Sequence, residues 1–144
     1  MTRDLAIACD RLDTERLLTD WRWLVPRDTT PLLIGIFGDW IFGAPDGSHW
    51  HLGLLEGQFR RIAKDSAEFN AKKGEEQFRD EWFNANWAEI ALGSGLAPDD
   101  TQCLGWKIAP VIGGLFSVEN IQVFDLFVCQ SVHGQLFRQI SQRA

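Results

Sequence analysis

The 144-residue sequence contains no tyrosine, one methionine and three cysteines. Cys9, Cys103 and Cys129 are odd in number and far apart, which fits reduced thiols in a cytosol better than a disulfide framework. No CxxC motif and no Cys/His spacing indicates a zinc site. We therefore expect a cytoplasmic protein that binds neither a metal ion nor another cofactor.

Long hydrophobic runs are also missing. The longest apolar stretches, Leu32–Gly38 and Ile108–Phe116, are far shorter than the roughly 18 residues that a membrane-spanning helix requires. The short apolar patch within Met1–Cys9 is flanked by Asp4 and Asp10, and no small-residue cleavage site follows it. We expect no signal peptide and no membrane partner.

Positive charge is scarce, because 14 Lys and Arg residues stand against 20 Asp and Glu residues, for a formal net charge of −6. Acidic chains are repelled by a phosphate backbone, so nucleic acid is not an expected partner. The same charge suits a basic protein partner. Mild acidity is also common where it serves only solubility, so charge alone does not decide between the two.

Large apolar rings are abundant, with seven Trp and ten Phe residues. The hydrophobic share of 45% and the charged share of 24% are typical of a globular protein. A chain of this length fits a single domain that buries about 70% of its unfolded surface. No repeat, low-complexity stretch or linker is visible, so we predict one α+β domain over residues 1–144.

Hydrophobic periodicity predicts a mainly antiparallel sheet, with helical segments before and after the sheet strands along the chain. Apolar residues recur every three to four positions over Leu12–Leu24, which indicates a helix capped by Asp13. Leu32–Ala63 has apolar and aromatic runs cut by turn signals, including the Pro-Asp-Gly turn that ends at Gly47. This pattern predicts a meander of three or four strands. Asp65–Leu92 then returns to helical spacing.

The last third of the chain predicts two further strands and a C-terminal helix. Cys103–Ile108 has the composition of a strand, and Ile121–Cys129 carries apolar residues on both faces, as a doubly buried central strand does. Ser131 is the predicted cap of the helix. Gly134 inside that helix costs about 1 kcal/mol relative to alanine, which indicates close packing against its backbone.

Few residues are arranged for catalysis. His49 and His51 share one face of a predicted strand and could in principle hold a metal ion, but we expect two solvated histidines opposite the apolar face. Asp125 lies among apolar residues, where a carboxylate needs a hydrogen-bond donor or solvent, and we favour a structural acceptor. The alternative is a small-ligand-binding or enzymatic site centred on Asp125 and the turn Gly113–Gly114.

Several stretches of the sequence together resemble a known bacterial family. They are FGDWIFG from Phe37 with the Asp46-Gly47 turn after it, WHLGLLEG from Trp50, the helical segment from Phe69 to Asp80-Glu81-Trp82, the run CLGWKIAPVIGGLFSVENIQVFD from Cys103, and GQLFRQ from Gly134. This pattern resembles the domain, catalogued as one of unknown function, that forms the C-terminal half of type VI secretion immunity proteins paired with DNase effectors. The resemblance spans about residues 32–142. The element order is also loosely similar to that of the SUKH immunity superfamily.

The resemblance implies a non-catalytic, cytoplasmic protein that neutralises a cognate toxin, such as a nuclease effector, by direct binding. It also implies structural roles for the residues that match the motif. These residues are Gly38, Asp39, Gly57, Gly113, Gly114, Asn120, Asp125, Gly134 and Gln135.

The candidate contacts with a basic toxin follow from charge and predicted exposure instead. They lie on an acidic helix and in the loop that follows the helical region. They are Glu75, Glu76, Asp80, Glu81, Asp99 and Asp100. The other reading of these residues is an ordinary solvated face.

Overall fold

The computed structural model describes residues 4–143 and shows the predicted α+β class, with helices packed around two antiparallel sheets. The strands are β1 (Ala6–Ala8), β2 (Thr30–Gly35), β3 (Trp40–Gly43), β4 (His49–Gly53), β5 (Gln58–Ala63), β6 (Gln102–Trp106) and β7 (Ile121–Asp125). The α-helices are α1 (Thr14–Leu17), α2 (Ser66–Lys73), α3 (Glu76–Phe83), α4 (Ala85–Gly93) and α5 (Leu126–Arg143). Short 3₁₀ turns lie at Thr19–Trp21, Pro110–Ile112 and Val118–Asn120.

The larger sheet has five strands in the order β1-β2-β3-β4-β5, so each strand pairs with its neighbour in sequence. The predicted meander is confirmed as β2 to β5. At the β3–β4 turn, Asp46 accepts a hydrogen bond from the backbone of Ser48, and Gly47 has a φ of +89°. Strand β1 adds an edge that was not predicted. Residues 1–3 of the apolar patch before it lie outside the described residues.

Both faces of the five-stranded sheet are covered. On one face, Trp40 and Phe42 of β3 pack with Trp21 and with Phe137 of α5. On the other face, Ile41 packs with a cluster from α2 and α3 that includes Phe69, Trp82 and Phe83. A third cluster joins α4 to the small sheet of β6 and β7. Successive side chains of a strand point to opposite faces of the sheet, and here both faces are buried rather than one being exposed to solvent.

The boundary between strand and helix near the C-terminus differs from the prediction. Strand β7 ends at Asp125 and α5 begins at Leu126, so the predicted strand is wrong beyond Asp125 and Ser131 is not the cap. The Asp125 carboxylate accepts a hydrogen bond from the backbone N–H of Val128 at 3.0 Å, as a helix cap does. A short apolar run fits a buried strand and a buried helix equally well, and tertiary contacts decide between them.

Helix α5 is joined to the rest of the fold through the side-chain amide of Gln130, which is fully buried. Its Oε1 accepts hydrogen bonds from the indole N–H of Trp21 at 3.1 Å and of Trp40 at 2.9 Å. Its Nε2 donates to the carbonyl of Gly38 at 2.8 Å. One side chain thus connects α5, the turn after α1 and the β2–β3 turn.

Gly134 lies where α5 crosses the 3₁₀ turn at Thr19–Trp21. A Cβ atom added to it would lie 2.5 Å from the carbonyl oxygen of Asp20. The Gly134 carbonyl accepts a hydrogen bond from the indole of Trp23 at 3.2 Å. The glycine inside the helix is therefore explained by the close approach of another backbone.

None of the helices within residues 4–143 is long and apolar enough to cross a membrane.

We predict that Gly134→Ala destabilises the protein, although alanine is the better helix former. The added methyl group meets backbone atoms of Asp20 that cannot rotate away, so we expect a loss on the order of 1–3 kcal/mol in the free energy of unfolding. Gly93→Ala at the end of α4 is the matched control, because no described atom outside its chain neighbours and its own helix backbone lies within 4 Å of the added Cβ. It should be neutral or stabilising by up to about 1 kcal/mol. Urea denaturation of the two variants checks both signs, and equal effects would contradict the close crossing.

Candidate functional site

The turn between β2 and β3 places one carboxylate inside the protein. Gly38 takes a φ of +86°, and the backbone N–H of Gly35 donates to the carbonyl of Asp39 at 2.7 Å, so the chain reverses tightly. The side chain of Asp39 then points inward and is 2% exposed. Its Oδ1 accepts a hydrogen bond from the backbone N–H of Leu54 at 2.7 Å.

The second oxygen of Asp39 is held from the helical layer. Oδ2 accepts a hydrogen bond from Nδ2 of Asn84 at 3.1 Å. Asn84 lies between α3 and α4 with a φ of +55°, in the left-handed region that asparagine tolerates better than most residues. The Asp39 carboxylate therefore ties together the β2–β3 turn, the β4–β5 turn and the junction between the two helices.

Burial dominates the electrostatics of Asp39. Loss of solvent raises the pKa of its carboxyl from 3.8 to about 7, against the opposing effect of the hydrogen bonds from Leu54 and Asn84. Arg60 lines the same cleft, and its guanidinium is paired with Glu81 at 2.7 Å. Within residues 4–143, Asp39 is thus a buried acid whose charge is not neutralised by a basic partner of its own.

His51 on β4 lies in the same region and corrects the sequence-based expectation. His49 and His51 are 7% and 5% exposed, so the prediction of a solvated pair is wrong. Both point into the layer formed by α2 and α3. His49 stacks on Phe69 with ring centroids 4.5 Å apart. Nε2 of His51 donates to the carbonyl of Trp82 at 2.8 Å, and burial lowers the pKa of its imidazole to about 4.

A polar cleft of about 340 Å³ opens above Asp39 between the β4–β5 hairpin and α3. Among the described residues, four carboxylates and one guanidinium line it, and the imidazole of His51 is neutral at neutral pH. The charged residues are Asp39, Glu56, Arg60, Asp80 and Glu81. We call this the acidic cleft. Its lining is far more charged than that of an ordinary small-molecule pocket.

The acidic residues that were predicted from the sequence to contact a partner lie at three separate places in the structure. Asp80 and Glu81 line the acidic cleft. Glu75 is exposed at the start of α3, and Glu76 lines a separate groove against α4. Asp99 and Asp100 lie in the loop before β6, where Asp99 accepts hydrogen bonds from Thr101.

Two of the nominated carboxylates also have roles inside the fold. Asp80 accepts a hydrogen bond from the backbone of Asn86 at 3.0 Å and so caps α4. Glu81 pairs with Arg60, and both side chains are about half exposed. Sequence reasoning missed Glu56 and Arg60 as members of the cleft, because β5 and α3 meet only through the tertiary fold.

The residues of the family-like motif are mostly found at tight backbone contacts. A Cβ atom on Gly57 would overlap the ring of Phe137, and one on Gly114 would overlap the carbonyl of Ile108. Gly113 has a φ of +102°. Gln135 is exposed on α5 and donates to Ser131 at 2.9 Å.

Within residues 4–143, no group of three or more His, Cys, Asp or Glu side chains is placed to hold a metal ion. The three cysteines are free and buried. Burial raises the pKa of the Cys9 thiol to about 12, which is unsuited to a nucleophile.

Comparison with known proteins gives a likeness of fold only. No family model matches the chain, and no curated protein matches it. The crystal structure of Atu4351 from Agrobacterium tumefaciens is similar, with a TM-score of 0.60 over 91% of this chain and 15% sequence identity. This chain spans 66% of the length of that protein. The shared architecture extends over nearly all of the described elements, and no activity follows from it.

We predict opposing pH effects of Asp39 and His51 on stability. The raised pKa of Asp39 means that the native state keeps a proton that the unfolded chain releases, so stability is lost as pH rises from about 4 to about 7. The lowered pKa of His51 means that the unfolded chain takes up a proton that the native state refuses, so stability is gained as pH rises from about 4 to 6.5.

The two effects separate in single variants. Relative to the wild type, Asp39→Asn should gain stability more steeply between pH 4 and 6.5, and His51→Gln should lose stability as pH rises over the same range. The difference in slope should approach about 1.4 kcal/mol per pH unit. Urea denaturation at a series of pH values measures it. A variant whose pH profile runs parallel to that of the wild type would show that the replaced group titrates normally.

Proposed function

We propose that this chain is a non-catalytic binding domain that neutralises a cognate toxin by direct contact with the toxin's basic surface. The acidic cleft carries the proposal. It combines an unneutralised buried carboxylate, Asp39, with three further carboxylates on its walls, around one arginine. Such a cleft attracts a lysine or arginine side chain and repels phosphate.

The electrostatics favour a protein partner over a small molecule. A basic side chain that enters the cleft is attracted by several carboxylates at once, and it stabilises the charged form of Asp39. Buried pairs of this kind, with an arginine on one side, are typical anchors of protein–protein interfaces. The resemblance of the sequence to type VI secretion immunity proteins supplies the biological context, in which the partner is a nuclease effector and the complex forms in the cytoplasm.

The small-ligand or enzymatic alternative stays a prediction without a supporting observation in the described residues. The Asp125 carboxylate caps α5, and in the Gly113–Gly114 turn the backbone of Ile108 packs directly against Gly114. Neither group lines the acidic cleft.

Charge reversal in the acidic cleft tests the proposal. Glu56→Lys and Glu81→Lys should each slow association with the toxin domain encoded beside this gene, by about tenfold at low salt, and should reduce the salt dependence of the rate. Both side chains are exposed, and an exposed ion pair such as Arg60–Glu81 is worth at most about 1 kcal/mol, so the fold should persist. Stopped-flow or biosensor kinetics measure the rates.

Glu15→Lys on α1 is the matched control, because it makes the same charge change on an exposed side chain that does not line the cleft. It should change the rate much less. Co-expression provides the biological readout: cells that carry the toxin should survive with the wild-type chain and die with the cleft variants. An equal effect of Glu15→Lys would assign the attraction to net charge alone. Absence of any complex, with death in every case, would contradict the proposal.

A further inference from the structure

A second surface differs from the acidic cleft because it is apolar and exposed. It consists of the loop Ile108–Phe116 and the solvent-facing side of the first two turns of α5, and we call it the apolar face. Its large exposed side chains are Ile108, Val111, Ile112, Leu115, Phe116, Val128 and Val132. Leu115 is 73% exposed and Ile112 is 58% exposed. Isolated apolar side chains on a surface are ordinary, but a contiguous group marks an interaction site.

The loop and the helix form one continuous surface. A groove of about 270 Å³ runs between them, with Ile108 and Ile112 on the loop side and Val132 and Leu136 on the helix side. At the other end of the loop, the ring of Phe116 packs on the indole of Trp106 with centroids 5.4 Å apart. Phe116 is therefore anchored from below while half of its surface faces solvent.

The loop is held rigidly in this exposed conformation. The side chain of Asn120 accepts a hydrogen bond from the backbone N–H of Ile108 and donates to the carbonyls of Ile108 and Leu115, all within 3.0 Å. Because Gly114 has no Cβ atom, the backbone of Ile108 can approach it more closely than any other residue would allow. A preorganised apolar loop loses little conformational entropy when it is covered.

The charge pattern indicates what covers it. No charged residue occurs in 108–118 or in 126–137, although the chain as a whole has a net charge of −6. The charged residues at the two ends of the loop have opposite signs, Lys107 and Glu119. They lie at the same edge, because the backbone N–H of Lys107 donates to the carbonyl of Asn120 at 2.7 Å.

We propose that the apolar face binds a second copy of this chain in a two-fold symmetric dimer. Two acidic chains repel each other over most of their surfaces, but the two segments that form this face contain no Asp, Glu, Lys or Arg. Two-fold symmetry places the same edge of both copies in one interface, so that Lys107 of each copy can face Glu119 of the other. The segments that form the face offer no carboxylate to a basic toxin. The inference does not depend on the proposed function.

Sedimentation velocity of the full chain over about a hundredfold range of concentration tests the dimer. The wild type should sediment as a concentration-dependent dimer of about twice the 16.4 kDa chain mass. Leu115→Glu on the loop and Val132→Glu on the helix should each raise the dimer dissociation constant at least about tenfold, because each buries a carboxylate in an apolar interface. Both side chains are more than half exposed in one copy, so the monomer fold should persist by near-ultraviolet circular dichroism.

Gln77→Glu on α3 adds the same charge at an exposed position outside the face, and it should leave the dimer intact. A wild type that stays monomeric at every concentration would overturn the inference, as would two folded variants that still dimerise like the wild type. A monomer that loses binding to the toxin domain, or to vesicles of anionic phospholipid, when Leu115 becomes Glu would also overturn it and assign the face to that partner. Because toxin binding is measured separately at the acidic cleft, failure of the dimer leaves the proposed function standing.

Discussion

The side-chain amide of Gln130 connects parts of the chain that are about 90 to 110 residues apart in sequence. If it were lost, two indole N–H groups and the carbonyl of Gly38 would be buried without partners, at roughly 1–3 kcal/mol each. The same amide fixes the position of the β2–β3 turn. Since Asp39 directly follows Gly38, the contact that orders the core also sets the direction of the carboxylate at the base of the acidic cleft.

Asp39 differs from the other buried polar groups because its carboxylate can carry a negative charge, and the neutral donors that bond to it do not neutralise that charge. Leu54 and Asn84 supply donors, but desolvation still prevails and keeps the carboxyl partly protonated near neutral pH. A cation that arrives from outside would change that balance. Under the proposed function, a cation of the partner would favour the charged form of Asp39, which the free protein disfavours.

Local signals predicted much of the fold, and long-range contacts account for the differences. The Asp46–Gly47 turn and the alternation around it give the meander, and Gly134 gives the close crossing of α5. The start of α5 at Leu126 could not be read from an apolar run that suits a strand equally well. The burial of His51 depends on α3 covering the second face of the sheet, and the role of Gln130 depends on two tryptophans far away in sequence. The acidic cleft is formed by elements that are far apart in sequence. Of the residues that line it, only Asp80 and Glu81 were predicted from the sequence as contacts.

The central claim, that a basic partner enters the acidic cleft, is tested most directly by nuclear magnetic resonance on the ¹⁵N-labelled chain titrated with the proposed cognate toxin domain. The backbone amide of Leu54 and the side-chain amide of Asn84 both donate to Asp39, so they report on its charge. We predict that these two signals shift strongly on binding, while the amide of Glu15 on α1 does not move. Saturation of binding with the Leu54 and Asn84 signals unchanged would contradict the account.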